Sequence, residues 1–272
     1  MRADVASNTA HGVAVARATI DRPAWTTGDA AADDRLIASL VDDLSPELLD
    51  RRRSRPQFLD WLQARTHFFD DAVTRALREG VDQIVILGAG YDGRAMRYRT
   101  PHVRFFEVDH PATQADKRRR LSEIGAALDG IVFVAADFTE PGLDDRLAVA
   151  GHDPVRPSLF VCEGVLRYLP EHWYRELLHV TSARAGTGGT LAVSVSTRER
   201  ELNDRERAYE SALAESGEPV LTVPPPAVAL DWIADAGWVV DSVVDALHDA
   251  PPDARRGRLL VRAHPMERGR HG

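Results

Sequence analysis

The chain has 272 residues, of which 44% are hydrophobic and 28% charged, and its formal net charge is −8 at pH 7. This balance is typical of a soluble globular enzyme, and the acidic sum argues against broad binding of nucleic acid. No apolar run approaches the roughly 18 residues that a membrane span needs, and the N-terminus lacks the apolar segment of a signal peptide, so we expect a cytoplasmic protein. The single cysteine, Cys162, excludes an internal disulfide, and no histidine cluster has the spacing of metal ligands, so we expect no metal.

Residues 1–80 have the apolar spacing of helices and no convincing strand. Helices are predicted from the capping residues 7–9 onward, over residues 33–44, and from Pro56 to a stop at Gly80. We interpret this part of the chain as a helical cap, and the arginine cluster at residues 51–55 as a solvated loop.

From residue 83 onward, apolar strands alternate with helical segments, which is the signature of a doubly wound sheet. Because the loop before the last strand has no room for a crossover helix, that strand should run antiparallel to its neighbours. The predicted strands are 83–88, 103–109, 131–135, 159–163, 190–196, 238–244 and 258–263, and the predicted helices are 111–128, 170–183 and 225–236.

The predicted fold class is therefore α/β, with a doubly wound, seven-stranded, mostly parallel sheet. An N-terminal helical cap (1–80) precedes it, and a helical insertion (198–224) after strand five could act as a lid within the main domain (81–264). Residues 265–272 are interpreted as a flexible tail.

The first predicted strand ends in a glycine loop, with Gly88, Gly90 and Gly93 in the spacing G-x-G-x-x-G. This spacing is also found in nicotinamide-binding folds, in which a full helix follows the third glycine. Here only residues 94–100 precede the next strand, and their arginines do not suit a buried packing face. An NAD-dependent oxidoreductase is therefore the minor alternative.

Acidic residues end three successive predicted strands, namely Asp109, Asp137 and Glu163. A row of carboxylates suits a ligand that carries a ribose diol, an exocyclic amine and a positive centre. S-adenosylmethionine has all three of these groups.

Five motifs in the same order carry a family resemblance. The chain resembles the leucine carboxyl methyltransferase-like family of class I S-adenosylmethionine-dependent methyltransferases from about residue 8 to 197. The motifs are Asn8-Thr9-Ala10 with Val13-Ala14 and Arg17-Ala18, Trp61 with Ala64-Arg65-Thr66 and Phe69-Asp70-Asp71, Leu87-Gly88-Ala89-Gly90-Tyr91-Asp92 with Arg94-Ala95, Phe106-Glu107-Val108-Asp109 with Pro111 and Lys117, and Glu163-Gly164-Val165-Leu166 with Tyr168-Leu169-Pro170.

The resemblance implies roles for the cofactor-binding residues. Arg65 matches the arginine that this family uses on the cofactor's carboxylate, and its planar guanidinium suits that task. Gly88 and Gly90 would approach the methionyl and ribose parts, while Asp109 would accept hydrogen bonds from the ribose hydroxyls. Arg65 could instead form an ordinary ion pair on a helix surface.

Three further positions complete the implied cofactor site. Asp137 would hold the adenine, Phe138 would flank it, and Glu163 would face the methionyl amine or the neighbourhood of the sulfonium. A plain strand-end cap is the alternative for Asp109 and Asp137, and a plain turn residue is the alternative for Glu163. Cys162 is interpreted as a packed core thiol, and the stretch 117–120 as a solvated helix face.

The chain departs from the family pattern at three positions. Gly93 replaces the usual threonine, His67 stands where an arginine is common, and Arg167 replaces an apolar residue before Tyr168. The last two positions bear on the acceptor. Arg167 could instead be a plain surface residue, and Tyr168 could either pack or donate to the acceptor.

Methyl transfer from a sulfonium is an in-line displacement that requires alignment and exclusion of water rather than a metal. A carboxylate acceptor is already ionised at neutral pH, whereas an alcohol or phenol needs a base. No motif presents a credible histidine or lysine base at the end of a predicted strand. We therefore predict carboxyl O-methylation of a small-molecule or natural-product acceptor that Arg167 and Tyr168 orient. Hydroxyl or phenol O-methylation is the alternative. We expect neither nucleic acid nor a membrane as a partner.

Overall fold

A computed structural model describes residues 6–22, 25–43, 56–245 and 257–266. The arginine cluster at residues 51–55 and most of the predicted tail lie outside these ranges. None of the helices in the described ranges is long and apolar enough to cross a membrane.

The described N-terminal helices have capping residues that set where they begin. Ser7 accepts a hydrogen bond from the backbone N–H of Ala10 at 3.0 Å, and Asp29 accepts one from that of Ala32 at 2.9 Å. The second helix thus begins three residues earlier than predicted, because the capping side chain is Asp29. These helices are α1 (Asn8–Arg17), α2 (Ala30–Val41) and α3 (Pro56–Arg78).

The central sheet has seven strands in the order β3-β2-β1-β4-β5-β7-β6. The first five strands are parallel, and β7 pairs antiparallel with both β5 and β6. The predicted fold class is confirmed. The strands are β1 (Gln83–Leu87), β2 (Arg104–Asp109), β3 (Ile131–Ala135), β4 (Ser158–Cys162), β5 (Thr190–Ser196), β6 (Trp238–Asp245) and β7 (Arg258–Pro265).

Helical segments connect the strands, and three of them, including a 3₁₀ turn, were not predicted. The segments α4 (94–97) and α6 (143–149) are short, so their apolar periodicity is too brief to recognise. The helix predicted over residues 111–128, α5, ends at residue 123 instead, close to Gly125, which has a φ of +64°. The segments are α4 (Arg94–Arg97), α5 (Pro111–Glu123), α6 (Leu143–Val149), a 3₁₀ turn (Leu166–Tyr168), α7 (Glu171–Arg184), α8 (Asp204–Glu215) and α9 (Pro226–Asp235).

The centre of the sheet is buried on both faces, since β1 and β4 are buried along their whole length. One face packs against α3 through Phe69 and Val73, and the other packs against α7 and α9 through Leu178 and Ile233. Cys162 lies in this core, and burial raises the pKa of its thiol to about 12. It is therefore a packed thiol rather than a nucleophile.

The interpretation of residues 117–120 as a solvated face is wrong for two of its members. Lys117 is 1% exposed, and its ammonium group lies 2.6 Å from Glu107 Oε2. Arg120 is also buried and donates to the Ser39 carbonyl at 2.8 Å. The sequence analysis assigned Lys117 and Arg120 to solvent because their partners lie on other helices and strands. Local sequence does not show such contacts.

Candidate active site

A cavity of about 320 Å³ lies at the edge of the sheet where the parallel strands end. The loops after β1 to β4, the end of β5, the start of β7 and helices α1 and α3 form its walls. The structure brings every predicted site residue to this cavity, although their roles in binding stay predictions. These residues are Arg65, Gly88, Gly90, Asp109, Asp137, Phe138, Glu163, Arg167 and Tyr168.

The glycine loop after β1 needs glycine for two separate reasons. Gly88 and Gly90 have φ values of +62° and +47°, which side chains other than glycine rarely adopt. A Cβ atom on Gly90 would also lie 2.8 Å from the Cβ of Ala10 in α1. At Gly93, a Cβ would lie 1.7 Å from Asp33 Oδ1, so the departure from threonine makes room for this carboxylate.

We expect Gly90→Ala to weaken binding of S-adenosylhomocysteine about tenfold. The left-handed backbone costs roughly 1–2 kcal/mol for a residue with a Cβ, and the contact with Ala10 displaces α1 from the cavity. Gly125→Ala is a matched control, because φ is +64° there and nothing lies within 4 Å of the added Cβ. Calorimetry should show unchanged affinity in the control. Equal affinities in both variants would contradict the assignment of Gly90 to the cofactor site.

Asp109, at the end of β2, is fixed by the backbone around it. One carboxylate oxygen accepts from the N–H of Gly90, and the other accepts from the N–H of His110 at 2.6 Å. Burial raises the pKa of Asp109, and these two hydrogen bonds oppose that rise. Each carboxylate oxygen has two lone pairs, so both can still accept from a diol.

Asp137, after β3, is held by the loop that follows it. It accepts from the N–H and the hydroxyl of Thr139 at 2.8 and 2.7 Å. Burial opposes ionisation, but these bonds outweigh it and lower the pKa of Asp137. His110 Nε2 lies 3.8 Å from the same carboxylate, and Phe138 lines the cavity beside it.

Glu163, after β4, is the centre of a buried cluster of arginines. Its carboxylate contacts Arg17, Arg65 Nε at 2.7 Å and Arg94 Nη1 at 2.6 Å. Burial opposes ionisation, but the guanidinium groups of Arg17, Arg94 and Arg65 hold the pKa of Glu163 well below its usual range. The structure therefore shows Glu163 fixing arginines beside the cavity, and its predicted contact with a methionyl amine stays a prediction.

A second set of acids forms ion pairs with the buried arginines of α4. Arg94 is completely buried and contacts Asp70 at 2.7 Å and Asp92 at 2.5 Å. Arg97, also buried, lies 3.4 Å from Asp33. The view that arginines prevent residues 94–100 from packing inside is wrong, because acids from α2, α3 and the glycine loop neutralise them.

Arg65 is not the helix-surface ion pair that was the alternative. It is 5% exposed, and its guanidinium carbon lies 4.0 Å from the ring centre of Trp61. The guanidinium carbon of Arg258 in β7 also lies 4.0 Å from that centre. Burial lowers the pKa of Arg65 to about 10, so it remains a cation at neutral pH.

Arg167 and Tyr168 lie on the 3₁₀ turn after β4. The Nη2 atom of Arg167 is 3.8 Å from Glu210, and its Nε atom is buried with no partner among the residues described. Burial raises the pKa of Tyr168, so its hydroxyl stays protonated and can donate. This part of the cavity thus offers a cation and a neutral donor.

The insertion after β5 contacts α1 across the cavity. Glu218 accepts from the hydroxyl of Thr9 and from its backbone N–H, the latter at 2.9 Å. The N–H of Leu221 donates to the Arg167 carbonyl at 2.8 Å. The N-terminal helix α1 and the insertion after β5 therefore together cover the ends of the strands.

Several cavity residues received no role in the sequence analysis. His110 directly follows Asp109, and Arg17 and Trp61 lie within the motifs of the resemblance, so these positions carried a local signal. Arg258 and Glu218 carried none, since they reach the cavity only through folding. In the described ranges, no group of three or more His, Cys, Asp or Glu side chains could hold a metal.

The cavity fits the expected cofactor on its own geometry. The positive φ angles at Gly88 and Gly90 turn the backbone sharply after β1, and both glycines line the cavity. Asp109 keeps accepting capacity for a diol, and the buried Nε atom of Arg17 has no hydrogen-bond partner among the described residues. These groups match a ribose and a carboxylate.

Comparison with known proteins identifies a family and relatives of this chain. The family model for leucine carboxyl methyltransferase matches residues 10–182. A protein of Frankia alni named "Putative S-adenosyl-L-methionine-dependent methyltransferase" is 34% identical over 236 residues, covering 83% of this chain and 77% of the relative. A relative of the same name in Mycolicibacterium paratuberculosis is 32% identical over 259 residues, covering 86% of this chain and 80% of the relative.

A solved structure shows the same fold. A DUF574 family protein from Streptomyces avermitilis superposes with a TM-score of 0.58 at 14% identity, covering 97% of this chain and 98% of that one. The family model alone matches more than half of the chain, and both relatives are more than 30% identical to it. The chain therefore belongs to the leucine carboxyl methyltransferase family of S-adenosylmethionine-dependent methyltransferases.

Proposed function

We propose that this methyltransferase acts on the carboxylate oxygen of a small-molecule or natural-product acid. When bound, S-adenosylmethionine supplies an electrophilic methyl group on a sulfonium. The protein holds the two reactants in line and excludes water, and effects of this kind contribute roughly 7–11 kcal/mol. The observation that carries the proposal is the pair of guanidinium groups at the end of the cavity away from Asp109 and Asp137.

The order of the strands separates the two ends of the cavity. Neighbouring strands are about 4.8 Å apart, so β3 and β7 are separated by about 24 Å along the sheet edge. Asp109 and Asp137 follow β2 and β3, whereas Arg258 begins β7 and Arg167 lies on the turn after β4 that contacts β5. The end over β5 and β7 is therefore left for the acceptor.

The residues at the acceptor end suit an anion that needs no deprotonation. Arg167 and Arg258 would attract a carboxylate, and Tyr168 would donate a hydrogen bond to it. Among the described residues that line the cavity, the only histidine is His110, which lies beside Asp137 at the opposite end. A phenol would need a base at the end where the arginines lie.

The test compares labelled methyl transfer to benzoate and to phenol from pH 5.5 to 9. We expect benzoate to be methylated with little change in kcat/KM, because it is already ionised over the whole range. Arg167→Leu should lower kcat/KM for benzoate about tenfold and leave the affinity for S-adenosylhomocysteine unchanged. Faster transfer to phenol, with a rate that rises as a group of near-neutral pKa loses its proton, would favour hydroxyl methylation instead.

A further inference from the structure

A second cavity, of about 400 Å³, lies beside the first and next to α8. It is as large as many complete small-molecule sites. The two cavities share part of their walls at the β5 and β7 end. The shared residues are Arg167, Ser196, Tyr209, Arg258 and Leu259.

The shared wall consists largely of long side chains. Arg167 has only a distant contact with a carboxylate, 3.8 Å from Glu210, which itself binds Arg198. Tyr209 belongs to α8 and is 37% exposed. We expect rotation of Tyr209 to join the cavities without moving a strand, because exposed side chains change rotamer rapidly.

The second cavity contains a buried polar group that needs a partner. Thr197, directly after β5, is 3% exposed, and its hydroxyl has no hydrogen-bond partner in the part of the chain that the structure describes. An unsatisfied buried hydroxyl is destabilising, so a polar ligand group that meets it after rotation of the Thr197 side chain would bind favourably here. The neighbouring charges are matched in ion pairs, as in Arg200 with Glu206 at 2.8 Å.

We propose that the acceptor is an elongated acid whose far end occupies this second cavity. Its carboxylate lies in the first cavity near Arg167 and Tyr168, its middle passes the shared wall, and a distal hydroxyl or similar group bonds with Thr197. This inference rests on the proposed carboxyl methylation. The first cavity must also hold the cofactor, so a long acid needs the additional space.

Straight-chain acids of 4 to 14 carbons, with and without a terminal hydroxyl, can test how activity depends on the length of the acceptor. Methyl ester formation from labelled cofactor and calorimetric binding to the protein saturated with S-adenosylhomocysteine would be measured for each acid. We expect kcat/KM to rise at least tenfold once the chain reaches the second cavity. Beyond that length the hydroxylated acid should be preferred severalfold.

Two variants test the cavity itself. Val223→Trp fills it and should lower kcat/KM for the long acids at least tenfold, with short acids and the affinity for S-adenosylhomocysteine unchanged. Thr197→Val keeps the shape and should remove only the preference for the terminal hydroxyl. Val243→Trp, on the exposed side of β6, is the control for adding an indole.

The outcomes separate this inference from the proposed function. A length profile that is flat, or unchanged in Val223→Trp and Thr197→Val, would overturn the second cavity as an acceptor site while short acids are still methylated. If no acid of any length is bound or methylated by protein that binds S-adenosylhomocysteine, carboxyl methylation itself is wrong.

Discussion

Glu163→Ala should lower the free energy of unfolding by about 3–5 kcal/mol, the usual cost of removing one partner from a buried charge cluster. The substitution leaves Arg17, Arg65 and Arg94 beside one another without the carboxylate that neutralises them, and all three are buried. Chemical denaturation followed by circular dichroism measures the change. Affinity for S-adenosylhomocysteine should also fall, because Arg65 loses the contact that fixes it.

Glu123→Ala is the control for this prediction. Glu123 pairs with Arg119 at 2.7 Å, and both of these side chains are more than half exposed. Exposed ion pairs typically contribute about 0–1 kcal/mol, so the control should lose far less stability. Equal losses in the two variants would show that burial of the Glu163 cluster has no special role.

The pH dependence of stability gives a second measurement on Glu163. An unfolded glutamate has a pKa of about 4.3, and in the folded protein the pKa lies lower. The ionised carboxylate therefore contributes stability above pH 4.3, and that contribution is lost as the pH falls through the folded-state pKa. Stability of Glu163→Gln should accordingly fall less steeply than wild type below about pH 4.

Asp109→Ala should weaken binding of S-adenosylhomocysteine by about 1–3 kcal/mol, or roughly 5- to 150-fold. The variant removes the expected acceptor for the ribose hydroxyls and leaves the N–H groups of Gly90 and His110 without their partner. Asp109→Asn should also bind weakly, because its NH₂ group must face one of these two donors. Titration calorimetry measures both affinities.

Asp129→Ala serves as the control for Asp109→Ala, since Asp129 is a fully exposed acid away from the cavity. Its affinity should equal that of wild type. The assignment of Asp109 to the cofactor would fail if Asp109→Ala folds normally and binds S-adenosylhomocysteine as tightly as this control.

Local sequence was sufficient for the sheet and for the acids at its edge. Buried parallel strands have continuous apolar runs, and side chains that follow such strands meet at one edge of the sheet. The alignment of Asp109, Asp137 and Glu163 could therefore be predicted, as could Gly88 and Gly90, because a sharp turn after a buried strand requires glycine.

Local sequence did not predict how the buried charges are paired. Arg17 and Glu163 are 146 positions apart, and Arg94 and Glu163 are 69 apart. An arginine is normally assigned to solvent, and only a carboxylate from another element makes its burial tolerable. This is why α4 and Lys117 were assigned to the surface.

The sequence by itself determined the α/β sheet, its glycine turn and the resemblance to a methyltransferase family, because these depend on residues close together in the chain. Only the tertiary structure decided that Glu163 binds arginines, that Arg258 reaches the cavity, and that a second cavity lies beside α8. Those features depend on which distant side chains share one buried space, where the cost of an unpaired charge selects the pairs.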